Sequence, residues 1–492
     1  MTTLRTSPCT ATPRARVRHG RMLAVLLTGE FMALLDQSIV NVAAPTIRSG
    51  LHASGGALQL IVSCYTIANA VLLATGARLG DRFGPARMYR AGLLLFTVAS
   101  LGCGLAPDAA SLSVLRFAQG AASALLVPQI LSIVQREFAG AARARALSAY
   151  AACLTGGAVT GQVLGGVLVS ANLFGTTWRP IFLLNVPVGI VALAAGHFLL
   201  PRDARTGTGR RLDMPGVAAL TATLLLLVVP LVLGRDAHWP LWCWSALACS
   251  VVLFGVFVAV ERRATAPVTP AAMLRAPGVV PAALTLFCAM APWGAFMFIA
   301  SVHLQTGLGM SARRAGLEFL VPFIGTGIMS LTWHRLPARL HPWLTAVGYS
   351  LTAVAYLVLA LSGRGPVFAA AMAILGVGLG SAFSPLMAAA LHRVPQELAA
   401  DASGFLQTVL QLGLVVGVAG FGSLYLSLLP ADGAVGAMRI TGLALAATSA
   451  VAAWCGTRLA RTGRDRSPGR REATFKVPLG RASSRRSGRR VL

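Results

Sequence analysis

The sequence predicts an all-α polytopic membrane protein of about fourteen transmembrane helices, arranged as two six-helix halves with two extra central helices between them. Three observations carry this. The 492-residue chain is 56% hydrophobic and only 12% charged, with a mean hydropathy of +0.71, too apolar for a water-soluble core. Apolar runs of about twenty residues recur along its length, each able to cross roughly 30 Å of hydrocarbon. A basic loop also occurs twice: Arg78-Leu-Gly-Asp-Arg-Phe-Gly-Pro85 returns as Arg335-Leu-Pro-Ala-Arg-Leu-His-Pro342, and two copies of one loop imply two copies of one bundle.

The apolar segments fall near 22–45, 57–77, 88–106, 111–135, 146–170, 180–200, 214–234, 241–260, 279–305, 315–334, 343–362, 366–391, 402–429 and 437–459. The first is interrupted by Glu30 and Asp36 and is too long for the core of a signal peptide, which predicts a retained helix. The second ends in the polar, basic stretch Gly76–Arg90, read as a loop. The fourth contains Arg116, with Gln119 and Gly120 one turn on. In the fifth, Gly157, Gly161 and Gly165 recur every four residues and share one face, with Gly166 beside them. That face serves either ordinary helix packing or a seal between the halves.

The echoing loops follow the second and tenth segments, so the repeat is offset by eight helices. The predicted organisation is a basic cytoplasmic tail at 1–21, a six-helix bundle at 22–200, and a linker with two extra helices at 201–278. A second six-helix bundle follows at 279–460, then a basic disordered tail at 461–492. The extra pair meets at His238-Trp239-Pro-Leu-Trp242-Cys-Trp244, an interfacial aromatic anchor. The ninth segment holds Trp293, Phe296, Phe298, His303 and Gln305, the tenth opens with Glu318, and the thirteenth carries Gln407 and Gln411 one turn apart. Trp293, Gln305, Glu318 and Gln407, with Gln119, are candidate cavity residues, and His303 is expected at the outer interface.

With the N-terminus in the cytoplasm, the inner loops hold Arg78, Arg82, Arg87, Arg90, Arg136, Arg143, Arg145, Arg202, Arg205, Arg210, Arg211, Arg262, Arg263, Arg275, Arg335, Arg339 and Arg393. The outer loops hold only Arg48, Arg179, Arg235, Arg313, Arg314, Arg364 and Arg439. This bias predicts that both termini are cytoplasmic in a cytoplasmic membrane. The net charge of +27 resides in short loops and tails, and nearly all of it is arginine, with Lys476 the only lysine. It therefore does not predict nucleic-acid binding. The eight cysteines form no CxxC pair and no Cys/His cluster, so neither a metal site nor a disulfide framework is expected.

Several stretches occur in a telling order: Leu35-Asp36-Gln-Ser-Ile-Val-Asn41-Val-Ala-Ala-Pro45, Arg78-Leu-Gly-Asp81-Arg82-Phe-Gly84, Leu115-Arg116-Phe-Ala-Gln119-Gly120 and Gly161-Gln-Val-Leu-Gly165-Gly166. Trp178-Arg179-Pro-Ile-Phe-Leu-Leu-Asn185-Val-Pro187-Val-Gly and Ala402-Ser403-Gly404 follow. Together they resemble the fourteen-helix drug:proton antiporter family of the major facilitator superfamily, over nearly all of the chain outside its tails. The family's first loop usually begins with glycine where Ala77 stands and has more basic residues where Pro85 and Ala86 stand, and its fifth helix usually has proline where Gln162 stands.

The resemblance implies proton-driven, alternating-access export of small hydrophobic or amphipathic compounds by a monomer, with no cofactor beyond the proton gradient. It also implies a gating role for the loop of Asp81, Arg82, Gly84 and Arg87. In that reading Asp81 serves the free amides of the third helix, while Arg82 and Arg87 pair across to the other half. An importer on the same scaffold is the first rival. A membrane enzyme or sensor is the second, but the chain has no Walker A loop, HExxH or GxSxG.

Asp36 is the expected coupling acid. An ionisable group deep in a membrane helix costs about 2.5–3.5 kcal/mol on insertion scales and usually faces a cavity. Arg116 is its expected electrostatic counterpart. Glu30, six residues from Asp36, points about 120° away from it and is expected as an accessory acid that attracts cationic substrates.

Overall fold

The computed structural model describes residues 13–201, 203, 214–234, 237–263, 274, 278–337, 339–363, 365–391, 394 and 399–464; these form helices joined by short turns, with no strand among them. Most of the two predicted basic tails lies outside the described residues, as do Arg202, Arg205, Arg210, Arg211, Arg235, Arg275, Arg364 and Arg393.

Every predicted apolar segment falls on a helix. The first half comprises α1 (Pro13–Gly50), α2 (Gly55–Phe83), α3 (Pro85–Leu105), α4 (Ala109–Glu137), α5 (Gly140–Ala171) and α6 (Pro180–Leu199). The extra pair is α7 (Met214–Leu233) and α8 (Leu241–Arg263). The second half comprises α9 (Val279–Val302), α10 (Ala312–Arg335), α11 (Leu344–Leu361), α12 (Pro366–Leu391) and α13 (Ala399–Gly417), closed by the element Ser423–Arg464. The apolar run Gly404–Leu459 has 56 residues, about 84 Å at 1.5 Å per residue, far more than one crossing needs. Gly433, at φ 67° and ψ 178°, breaks it. Residues before the break extend α13, and residues 434–464 form α14.

The helix pairings show the internal repeat. α1 packs along α5, α2 along α4, and α3 along α4 and α6; eight helices later α9 packs along α13, α10 along α12, and α11 along α12 and α14. The extra pair sits outside this pattern. Leu224, Val228 and Val232 of α7 pack with Ile67 and Val71 of α2 and Val415 of α13. α8 turns Leu241, Val251, Val252 and Phe254 outward, an apolar surface of the kind lipid covers.

One end of the bundle carries the turns rich in arginine, and it is called the basic end here. Two expectations there are corrected. α1 already begins at Pro13, so the stretch before Met22 continues as helix. The stretch read as a loop is almost wholly helical, because α2 runs through Asp81 to Phe83 and α3 starts at Pro85. Only Gly84 leaves the helix, at φ 99°, which a residue with a side chain seldom adopts. Pro85 at the first helical position suits the entry to α3. The free amides of α3 are met by Asp203, not Asp81: Ala86 N and Arg87 N donate to the two Asp203 carboxylate oxygens at 3.0 and 2.7 Å.

At the opposite end Asp108 caps α4 through a reciprocal capping box with Ser111. The Ser111 amide holds the Asp108 carboxyl below its usual range. Arg179 closes the end of α3, its Nη1 donating to the carbonyls of Gly104 and Ala106 at 2.9 Å each.

Candidate functional site

Asp36 is completely buried inside the first half. It accepts from Arg116 Nη1 through Oδ2, and from Gln119 Nε2 (2.8 Å) and Asn185 Nδ2 (2.9 Å) through Oδ1. The donors come from α4 and α6, so one carboxylate ties three helices together. Gln119 uses its other capacity on Ser100 Oγ, to which Nε2 donates at 2.7 Å, and on Arg116 Nη1, from which Oε1 accepts at 2.7 Å. The Arg116 guanidinium also donates from Nε to Ile61 O at 3.4 Å and lies 4.6 Å from the Tyr65 ring and 5.7 Å from the Phe182 ring. A buried ion pair is tolerable only when its remaining donors and acceptors are met in this way.

Gly120 lets this contact form, because a Cβ there would collide with the Tyr65 carbonyl on α2. Tyr65 Oη in turn donates to Ala33 O on α1 at 3.0 Å. Sequence reasoning paired Asp36 with Arg116, placed Gln119 as a candidate cavity residue, and missed the roles of Asn185, Ser100 and Tyr65. An ionisable residue in an apolar run stands out, whereas an amide, a hydroxyl or a phenol there does not.

Glu30 is not part of this network. It is buried on α1, where Oε1 accepts from Tyr150 Oη of α5 at 3.3 Å and Oε2 has no partner.

Between the two halves lies a cavity of about 140 Å³, lined from α1 by Gln37, Ser38 and Asn41, from α2 by Ser63 and Thr66, from α5 by Gln162 and from the second half by Trp293, Met297 and Phe323. Neither Asp36 nor Glu30 reaches it. The expectation that Glu30 draws in cationic substrates therefore has no support in this arrangement. Successive residues on a helix diverge by about 100°, so Gln37 faces the cavity while Asp36 faces the bundle interior.

Of the other candidate cavity residues, only Trp293 lines this space, at 5.5 Å from the Phe323 ring. Gln119 belongs to the ion-pair network. Gln407 is exposed, one turn from Gln411, which is the residue that bridges. Glu318 lines a separate pocket with Met310 and Phe368. His303, expected at an interface, is buried, with Nδ1 3.3 Å from Tyr425 Oη.

Among the described residues, hydrogen bonds that join the halves include several at mid-bundle and toward the end opposite the basic one. Gln305 Nε2 donates to Val42 O at 2.9 Å, Gln59 Nε2 to Val418 O at 3.3 Å, and Arg313 N to Ser170 Oγ at 3.1 Å. Gln305 and Val418 both sit in π-helical turns, His303–Gly307 and Val418–Gly422. Such turns disrupt the regular hydrogen-bond ladder and re-aim local groups. Nearer the middle, Gln37 Nε2 donates to Gln411 Oε1 at 3.3 Å, and Gln411 Nε2 to Asn69 Oδ1 at 3.4 Å. At the basic end the Asp81–Arg136 ion pair, 3.3 Å and exposed, joins α2 to α4 within one half. Arg82 lies over its neighbour Phe83 at 5.2 Å, and neither Arg82 nor Arg87 forms an ion pair among the described residues.

The glycines of α5 divide by role. A Cβ on Gly157, Gly161 or Gly165 would press on α1, at Phe31 and Leu34, at Leu35 and Ser38, and at Ile39 respectively. These three pack within one half. Gly166 is the one between halves, since its Cβ would lie 2.5 Å from Ala312 O on α10. Gly161→Val is therefore expected to lower membrane abundance sharply. Gly166→Val should leave abundance near parental and raise passive leak at the seal, read by dye release from proteoliposomes.

A family model described as Major Facilitator Superfamily matches residues 26–418 and 282–491. The chain belongs to that superfamily. A relative named "Probable actinorhodin transporter" from Streptomyces coelicolor is 35% identical over 437 residues, spanning 85% of this chain and 74% of the relative. The "Tetracenomycin C resistance and export protein" of Streptomyces glaucescens is 31% identical over 425 residues, spanning 84% of this chain and 77% of the relative. Among solved structures, a bacterial homolog of the human lysosomal transporter Spinster aligns with a TM-score of 0.67 at 16% identity, covering 92% of this chain and 98% of that one. This major facilitator chain is thus a multi-pass membrane transporter of small molecules.

Proposed function

We propose that this transporter exports small hydrophobic or amphipathic compounds across the cytoplasmic membrane by alternating access, driven by inward proton movement through Asp36. The observation that carries the coupling is the Asp36–Arg116–Gln119–Asn185 network, which sits one residue away from a cavity-lining group that touches the other half. A proton on Asp36 removes the negative charge that holds Arg116. The guanidinium is then held only by Gln119, Ile61 O and two rings, and α1, α4 and α6 lose their common tie. From α1 the change passes through Gln37 to Gln411 and Asn69, the contacts that join the halves at mid-bundle. This supplies a two-state element that protonation can bias.

The direction follows from charge and naming. The arginine bias places the basic end in the cytoplasm, so the seal described above faces outward and the cavity is poised to load from within. The relative whose name states resistance and export agrees with that direction. The test is purified protein in proteoliposomes with an imposed proton gradient and a panel of hydrophobic compounds. Accumulation that follows the gradient and collapses with an uncoupler is the expected result. Accumulation that ignores the gradient overturns the coupling.

In the alternate state the basic end must close, and Asp81, Arg82, Gly84 and Arg87 are the groups positioned to latch it. Because the Asp81–Arg136 pair is exposed, it contributes at most about 1 kcal/mol to folding. Asp81→Asn is therefore expected to slow transport several-fold with unchanged membrane abundance. Equal losses of abundance and transport would assign Asp81 to folding instead.

A further inference from the structure

Among the described residues, the lining of the central cavity contains no acid, no base and no histidine. Its polar lining is made of amides and hydroxyls, and most of these are already engaged. Gln37 Nε2 is bonded to Gln411, Ser38 Oγ to the carbonyls of Leu34 and Leu35, and Asn41 Nδ2 to Gln37 O. Two fully buried lining atoms are not: among the described residues Gln162 Oε1 and Ser63 Oγ have no hydrogen-bond partner, although each residue is only 1% exposed. A buried acceptor or hydroxyl without a partner is costly unless something comes to meet it.

Gln162 is held for this purpose. Its Nε2 points to Met297 Sδ at 3.7 Å, which leaves the carbonyl oxygen as the free edge. Its backbone is pinned where α5 meets α10, since a Cβ on Gly316 would lie 2.6 Å from Gln162 O. The usual proline of the fifth-helix motif would offer no side-chain acceptor, so this recognition element belongs to this chain. Trp293 and Phe323, edge to face at 5.5 Å, supply an aromatic wall to the same cavity.

We infer that Gln162 and Ser63 form the polar subsite for a neutral aromatic substrate bearing a hydroxyl or N–H. The donor bonds to Gln162 Oε1, the oxygen of a substrate hydroxyl accepts from Ser63 Oγ, and the rings pack on Trp293 and Phe323. Cations are disfavoured, because the two acids that could compensate them are buried elsewhere in the first half. This assignment rests on the export reading in taking the cavity as the substrate site.

The experiment is equilibrium binding to the full chain in lipid nanodiscs with no gradient, corrected with empty nanodiscs, by fluorescence anisotropy of three probes. They are 1-hydroxypyrene, 1-methoxypyrene and ethidium, at about pH 6, well below the ~10 at which a phenol ionises. The expected result is saturable 1-hydroxypyrene binding, about five- to tenfold tighter than that of 1-methoxypyrene. Gln162→Met, which keeps the volume and removes the acceptor, should erase that preference while leaving 1-methoxypyrene unchanged. Ser63→Ala, a smaller perturbation of the fold, should weaken 1-hydroxypyrene and 1-methoxypyrene alike, since the oxygen of either can accept from Ser63 Oγ. Ethidium binding as tight as that of 1-hydroxypyrene, no saturable 1-hydroxypyrene binding, or an intact preference in Gln162→Met would each overturn the assignment. Should the binding pattern hold while an imposed gradient drives no transport, the subsite stands and the export reading fails.

Discussion

Asp36→Asn is expected to abolish uphill transport, while the protein that does fold still equilibrates substrate. Asparagine keeps the shape of the carboxyl and one oxygen that can accept from Asn185 or Arg116, but it leaves the buried guanidinium without a counter-charge, so membrane abundance is expected to fall and transport is read per folded protein. With one proton per cycle, a gradient of one pH unit can sustain roughly tenfold accumulation of a neutral substrate. Without a site whose protonation differs between the two states, the coupling free energy is zero and the accumulation ratio falls to about one. The measurement is accumulation in proteoliposomes under an imposed gradient, beside downhill equilibration without one. Glu30→Gln is the companion variant. Glu30 bonds only Tyr150 and touches neither the cavity nor the ion pair, so pumping is expected to persist. Parental pumping by Asp36→Asn would refute the assignment, and loss only in Glu30→Gln would exchange the roles of the two acids.

The fold was legible because hydrocarbon thickness and loop charge act on the chain locally. Segments of about twenty apolar residues bounded by arginine need no tertiary information to be counted, and the repeated loop revealed the offset of eight. Asp36 and Arg116 were legible for a related reason, since burying either one without the other is prohibitive. Direction was not legible. Asp36 and Gln37 are neighbours, yet one turns into a bundle and the other into a cavity, and that depends on how α1 is rotated against α4, α5 and α9. The spacing of Gly157, Gly161 and Gly165 defined a face without naming its neighbour, which proved to be α1 within the same half. Asp203 was invisible as the cap of α3, because a single carboxylate in a loop 117 positions along the chain from Ala86 leaves no local signal.

Arg116→Met should be the most damaging single change for folding, and Asp36→Asn should largely repair it. Removing the guanidinium leaves a buried carboxylate facing only two amides, and breaking a buried pair from one side costs about 3–5 kcal/mol. It also removes the side-chain donor to Ile61 O and strips the cation from between Tyr65 and Phe182. Membrane abundance and the melting temperature of Arg116→Met in detergent are expected to fall together. In the double variant the uncompensated charge is gone, so most of the lost abundance should return, and the two single effects will not add. Pumping should not return, because the titrating group is absent. Arg116→Lys separates charge from shape: it keeps the cation but cannot bond Asp36, Gln119 and Ile61 O with one planar fork, so abundance should recover more fully than pumping. If Asp36→Asn fails to raise the abundance of Arg116→Met, the pair is not the electrostatic unit described here, and the first half is held together by its packing alone.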